Sequence, residues 1–533
     1  MVAWLNSKIE TITGAAVILA GASLASKLLG LLRNRVLAGT FGAGDTLDAY
    51  YAAFRIPDAI FQFVVLGALS AGFIPVFIEL IEAKRDQWKV AITVLNALIG
   101  VLALFTILFI IFAPQLQSAI APGFHGEKLA LTIRLARIMA LGPLFLGISA
   151  VLSGILQSYR RFIIYALAPL FYNAGIIVGA VWLTEYFGSA GLALGVVLGT
   201  ILHMLVQLPA TYAVGLRFRL QLDLKNAAVR KIGWLSLPRL LGLAVTQINL
   251  FAITLIASKL SSGSLAVFNL ANDIQSVPLG LFAISLSTAA FPAFSEFAAR
   301  ADKQGFRRSF SATARLILFL TIPFVVLFLL LRAQIVRVLL GWGEFDWNAT
   351  RATADALAFF SLSLFAQALI QLVVRALFAI KDTLSPLIAG VIGVVTNIVG
   401  AILLREQFGV AGLALAFSLA MVVNLVALWI MLRLRMGSLD ESHIVPSLFK
   451  ISAAALIMAL VVQAMKPLVA SYVNMQTGWG IFTQGLVSGL LGLMIFLIAA
   501  LALGSDEARH IKEAFSKRFF RAKAAQPVEL IDN

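Results

Sequence analysis

Lys27 and Arg33 are cations inside an apolar run long enough to cross a bilayer. Residues 23–34 read Ser-Leu-Ala-Ser-Lys-Leu-Leu-Gly-Leu-Leu-Arg-Asn. At about 100° per residue on a helix, Ser23, Ser26, Lys27, Gly30, Arg33 and Asn34 share one arc of about 120°. A Lys or Arg turned to lipid at mid-bilayer costs about 2.5–3.5 kcal/mol, so this face must look into protein or a wet cavity. The stretch that follows repeats the pattern. Asp48, Tyr51, Arg55, Asp58 and Gln62 recur at helical spacing and form one stripe. Pro57 and Pro75 interrupt the same helix, each removing a backbone donor and bending the rod. Two adjacent helices with facing polar stripes make either a hydrated, cation-lined cavity or a structural seam in which Arg33 pairs with Asp48 or Asp58. Further along, Asn269, Asn272, Asp273 and Ser276 form another polar face, with amides and an acid in place of cations.

The helices that hold these residues follow from composition. The chain has 533 residues, 61% hydrophobic and 12% charged, with a mean hydropathy of +0.97. Soluble domains carry about 25% charged residues, so this is an all-α, polytopic membrane protein. There is no cysteine, hence no disulfide framework and no thiolate metal site. The net charge of +16 sits in short connectors between apolar runs, as the positive-inside rule expects, and does not indicate nucleic acid. No removable signal peptide is evident at the N-terminus. His-Glu-x-x-His, Gly-x-Ser-x-Gly and Walker patterns are absent, so no enzyme and no cofactor is expected. Transport would draw on the membrane potential, a monovalent cation or another ion gradient, or the substrate's own gradient.

At about 20 apolar residues per span, fourteen transmembrane helices are predicted: 14–38, 50–80, 90–113, 130–156, 161–183, 190–214, 233–259, 265–295, 312–331, 353–378, 384–404, 410–433, 448–470 and 480–503, numbered helices 1 to 14 below. Lys and Arg concentrate in alternate connectors, including 217–239 and 300–315, which places both termini in the cytoplasm. The 332–351 connector, with Arg332, Arg337 and Arg351, is the exception.

The chain also repeats itself. Residues 184–194, Thr-Glu-Tyr-Phe-Gly-Ser-Ala-Gly-Leu-Ala-Leu, match 405–415, Arg-Glu-Gln-Phe-Gly-Val-Ala-Gly-Leu-Ala-Leu. Lys27-Leu-Leu-Gly-Leu matches Arg239-Leu-Leu-Gly-Leu, and the stretch around Pro75 matches that around Pro292, in the same order. Six helices per unit is an even number, so the two units are parallel repeats. The expected organisation is an N-terminal lobe 1–218, a C-terminal lobe 219–440, helices 13 and 14 in 441–505, and a basic cytoplasmic tail 506–533. That tail, with Phe515, Phe519 and Phe520 among its cations, reads as an anchor on anionic headgroups. Gly191, Gly195 and Gly199 read as a close-packing face. His125, His203, His443 and His510 have no metal-ligand spacing.

The run from Ser26 to Asn34, then Phe41-Gly-Ala-Gly44, 48–57 and Gly67-Ala-Leu-Ser-Ala-Gly-Phe-Ile-Pro75, resembles the MurJ/MviN family of lipid II flippases, in the superfamily that includes MATE exporters and polysaccharide flippases. The resemblance covers nearly the whole chain. It implies alternating access between two six-helix lobes in the bacterial inner membrane. A cationic cavity would hold the diphosphate and headgroup of a lipid-linked anionic substrate, and a groove beside helices 13 and 14 would take the polyprenyl tail. Cell-wall synthesis enzymes are implied as partners. Arg33 matches the family's first-helix arginine, Lys27 keeps a cation where the family has arginine, and Asp48 matches an acid at the start of helix 2. Asn34 replaces a frequent aspartate, Phe61 and Asp273 stand where members carry arginines, and Leu66 stands where they carry a glutamate. Asp382 resembles an aspartate that binds a monovalent cation in some members; it also suits an N-cap of helix 11.

The implied chemistry is sound, because a diphosphate crosses hydrocarbon only if a protein replaces its hydration. Arginine grips phosphate oxygens as a bidentate fork and lysine as a point charge, so Lys27, Arg33 and Arg55 could neutralise it, with Asn34, Asp48, Asp58, Asn272 and Asp273 around them. A MATE-like or polysaccharide-precursor exporter, and a non-transporting scaffold for cell-wall synthesis, are the competing expectations.

Overall fold

The computed structural model describes residues 12–66, 72–510 and 512–513. The basic tail beyond 513, and part of the 67–75 motif, therefore lie outside the described residues. All regular structure among the described residues is helical. Among the described residues, nine helices are long and apolar enough to cross a membrane, or ten if the bent pair Trp347–Ser361 and Leu364–Ala379 is one span. Each of the fourteen expected segments has a helical counterpart. The long apolar helix Leu384–Met436 holds two of them, helices 11 and 12. Side-chain caps start several others: Asn226 accepts from Ala228 N, Asp302 from Gly305 N and Thr477 from Gly480 N.

The internal repeat is written into the backbone. Gly188 and Gly409 occupy the same place in the duplicated motif, and both adopt φ 56°. That conformation strains any residue with a Cβ, so each glycine breaks the chain between the last two helices of its repeat. Helices 2 and 8 share a second device. Asp45–Ile60 passes into a π-helical turn, Phe61–Leu66, and Ser264–Pro278 passes into another, Leu279–Ala283. Each π turn lies upstream of one of the paired prolines, Pro75 and Pro292.

Contacts divide the chain into two compact units. The first comprises Met1–Ile274, Leu339–Phe359 and Gly390–Ala420. In it, helix 1 (Ile12–Phe41) packs along helix 5 (Phe162–Val178), with Gly30 facing Asn173. Helices 5 and 6 cross through glycines: a Cβ on Gly195 would come within 2.5 Å of the Gly179 Cα. Because backbone rather than a flexible side chain blocks that position, Gly195→Ala should destabilise the protein by about 1–3 kcal/mol. Gly233→Ala, which meets open space, should be neutral or slightly stabilising. Thermal unfolding of the two variants in one detergent checks the contrast.

The second unit comprises Gln275–Val338, Phe360–Ala389 and Met421–Asn533. Its core is built on buried Phe294, Phe306, Phe310, Phe319 and Phe496. Helices 13 (Glu441–Ala470) and 14 (Gly478–Ala502) pack on each other, Gly492 lying against Val462 and Met458, and on helix 9 (Lys303–Leu330). Leu456, Leu460 and Leu490 leave an apolar face exposed.

Candidate functional site

Arg33 makes its hydrogen bonds to neutral amides, with one acid at ion-pair distance. Its Nε and Nη2 donate to Asn34 Oδ1 at 3.1 and 2.8 Å, and Nη1 donates to Asn173 Oδ1 at 3.1 Å. Asp273 Oδ2 accepts from Asn34 Nδ2 at 2.8 Å and lies 3.7 Å from Arg33 Nη2. Arg33 therefore pairs with neither Asp48 nor Asp58, the partners named by the seam alternative; the acid within ion-pair distance is Asp273. Helix 1 finds its partners on helices 5 and 8. Asn34 and Asp273, two positions at which the resemblance implies other residues, touch each other.

Arg55 is also held. Its Nε donates to Thr254 Oγ1 at 2.9 Å and its Nη2 to Asn269 Oδ1 at 2.7 Å. Asp58, one turn on, receives hydrogen bonds from Gln62 and Gln247. The stripe on helix 2 thus points to helices 7 and 8 rather than to helix 1. Lys27 is half-buried and carries no hydrogen bond or ion pair among the described residues. Asn272 is half-buried beside Asp273 on helix 8.

Asp48 is only 1% exposed and its carboxylate is fully used. Lys128 Nζ donates to Oδ2 at 2.7 Å, as does Gly263 N at 2.8 Å, and Ala266 N donates to Oδ1 at 2.9 Å. These backbone groups open helix 8, so the acid satisfies orphan donors at a positive helix end. Lys128 also reaches Asp45 at 2.6 Å and sits 4.1 Å over the Phe124 ring.

Asp382 lies in the second unit, between helices 10 and 11. Oδ1 accepts from Ser385 N at 3.0 Å; Oδ2 accepts from Ser385 Oγ at 2.7 Å and from Arg435 Nε at 3.2 Å. Burial pushes this carboxyl up, but the hydrogen bonds from Ser385 and Arg435 outweigh it and hold it below the usual carboxylate range. This is the geometry of a residue that starts helix 11. No cluster of three or more His, Asp or Glu side chains that could hold a metal occurs among the described residues.

Sequence reasoning missed Lys128, Asn173, Thr254 and Gln247. None of them has a local spacing that points to its distant partner. It also missed His203, whose Nδ1 lies 2.6 Å from Ser149 Oγ beside a cavity of 540 Å³.

The family model described as "Lipid II flippase MurJ" matches residues 37–483. A relative from Rhizobium tropici, named "Probable lipid II flippase MurJ", is 29% identical over 517 residues, covering 93% of this chain and 95% of that protein. A relative of the same name from Treponema pallidum is 30% identical over 445 residues, covering 81% and 82%. Among solved structures, a lipid II flippase MurJ in an inward closed conformation superposes with a TM-score of 0.75 at 24% identity, over 95% of this chain and all of that one. That likeness is one of fold.

Proposed function

The chain belongs to the MurJ family, and on that premise we propose that it is a lipid II flippase. It carries a polyprenyl-diphosphate-linked peptidoglycan precursor across the inner membrane, where it is a multi-pass protein. The observation that carries this reading is the family match, which runs through nearly every helix. The polar face of helix 1 supplies the chemistry it needs. Lys27 meets the diphosphate first as a point charge. Arg33 is poised behind it, held by amides that a phosphate can displace without leaving a buried acid unpaired. Transport proceeds by alternating access between lobes 1–218 and 219–440. The exposed apolar face of helices 13 and 14 takes the prenyl chain, and both termini are cytoplasmic.

The test is complementation of a flippase-depleted bacterium, followed by assay of externally accessible lipid II. Growth restored together with exposed lipid II supports the reading. Growth restored without it makes the chain a scaffold. Single cysteines added to this cysteine-free chain fix the orientation: labelling of the 217–239 connector from the periplasm would overturn the topology.

A further inference from the structure

The connector between helices 6 and 7 lies wholly within the first unit. From Arg217 to Lys225 it reads Arg-Phe-Arg-Leu-Gln-Leu-Asp-Leu-Lys, a strict alternation of polar and apolar residues. On an extended chain that spacing sends every apolar side chain to one face. Phe218, Leu220, Leu222 and Leu224 are all exposed, Leu220 to 92%, whereas Gln221 and Asp223 between them are half-buried. Four large apolar side chains thus share one open face.

Asn96 on helix 3 fixes the level at which this face lies. Its Nδ2 donates to the carbonyls of Arg219 and Gln221, at 2.8 and 2.9 Å. Helix 3, Gln87–Ile120, has 34 residues, which makes it about 51 Å long against a hydrocarbon core of about 30 Å. Centred on the core, it projects by about 10 Å at each end, and Asn96, about 14 Å from its start, stands at the edge of the hydrocarbon. The connector is therefore drawn back to the boundary between headgroups and acyl chains. The backbone groups of Phe218, Leu220 and Leu222 make no hydrogen bond among the described residues, so they need the water of the headgroup layer. Trp234, exposed near the start of helix 7 (Ala227–Ser258), suits the same layer.

The charge on this segment is lopsided. Residues 217–231 carry five cations and one acid. That acid, Asp223, pairs with Lys89 at 2.9 Å, and Lys231 pairs with Glu79 at 2.7 Å. Arg217 lies over the Tyr212 ring and donates to the Tyr212 and Leu216 carbonyls. Arg219, Lys225 and Arg230 are exposed and form no ion pair among the described residues.

We propose that this connector is an interfacial strap: its four apolar side chains insert at the acyl boundary, and Arg219, Lys225 and Arg230 take the phosphates of anionic phospholipids. An apolar face beside unpaired cations is the pattern of an element that lies in a membrane surface. A soluble partner would have to reach the chain where Asn96 holds it, at the edge of the core; a phospholipid is already there. The membrane thereby grips the segment that joins the two repeats. This surface binds bulk phospholipid and does not depend on what the protein carries.

The test uses the full chain in phosphatidylethanolamine–phosphatidylglycerol nanodiscs. Because the chain has no cysteine, Phe218→Cys, Leu220→Cys, Gln221→Cys and Leu222→Cys each carry a single fluorophore. A nitroxide near the lipid headgroup should quench positions 218, 220 and 222 and spare 221. Nitroxide-labelled phosphatidylglycerol should quench them severalfold more than labelled phosphatidylcholine, since each cation near an anionic surface is worth about fivefold in affinity. That preference should vanish at high salt. It should also vanish when Arg219→Gln, Lys225→Gln and Arg230→Gln are combined, with thermal unfolding and the period of two unchanged. Quenching of the three apolar positions by aqueous iodide and not by lipid overturns the strap and leaves the face to a protein partner. Equal quenching by the two labelled lipids at low salt, or a preference that survives the triple variant, overturns the anionic selection. Neither readout involves lipid II, so the outcome is separate from that of the flippase reading.

Discussion

Arg33→Ala should abolish lipid II flipping while leaving the protein folded and in the membrane. The arginine's two closest partners, Asn34 and Asn173, are neutral, so its removal strands no buried charge beside them. The nearby acid, Asp273, has a side chain 40% exposed and keeps its 2.8 Å hydrogen bond from Asn34. The stability cost should therefore fall well below the roughly 3–5 kcal/mol of a broken buried pair. The functional cost is larger. A bidentate charged contact to phosphate contributes about 1.5–3 kcal/mol per hydrogen bond, so losing two of them slows transport at least about a hundredfold. Arg33→Lys should keep part of the activity, because a point charge replaces the fork. The measurements are exposure of lipid II in a depleted strain and the membrane level of each variant. Exchanging the charges, Arg33→Asp with Asp273→Arg, separates the two roles. Full flipping by the exchanged protein would mean that the pairing, not phosphate, is what the arginine serves.

Asp48→Ala should do the reverse and cost the fold. The carboxylate is nearly inaccessible and accepts from Lys128, Gly263 N and Ala266 N. Truncation strands two backbone donors at the start of helix 8 and half of the Lys128 ion pair. The expected loss is about 3–5 kcal/mol, enough to deplete the protein from the membrane. Lys128→Met should cost less, since Asp48 keeps both backbone donors. Thermal unfolding in detergent and membrane abundance check the order. An Asp48→Ala protein that is stable yet inactive would move Asp48 from the framework to the substrate.

These two residues show what could be read from the chain and what could not. Helix positions, the repeat and the polar stripes follow from hydropathy, spacing and duplicated strings, all local properties of sequence. The face of helix 1 was legible for the same reason, since Lys27, Arg33 and Asn34 share one arc. Their partners were not. Asn173 and Asp273 are 140 and 239 residues from the positions they bond, and only folding brings them near. The helical wheel for helix 2 holds from Asp48 to Asp58 and then slips, because the π turn at Phe61 adds a residue to the winding. His203 reads as isolated in the sequence for a related reason. Its neighbours in the fold, Ser149 and Gln207, are common polar residues that only folding stacks beside a cavity.

The paired π turns give helices 2 and 8 something like a loaded screw. Each winds one residue too many into its turn. If that turn tightens to α-helical winding, the segment beyond it revolves by about 100° and advances by about 1.5 Å, with nearly every backbone hydrogen bond remade. In helix 2 the segment beyond is Phe73–Glu82, whose Phe73 and Ile74 form part of the cavity wall. A single residue of slack is thus enough to redraw the lining around Asp58 while the half of the helix that carries Asp48 stays anchored.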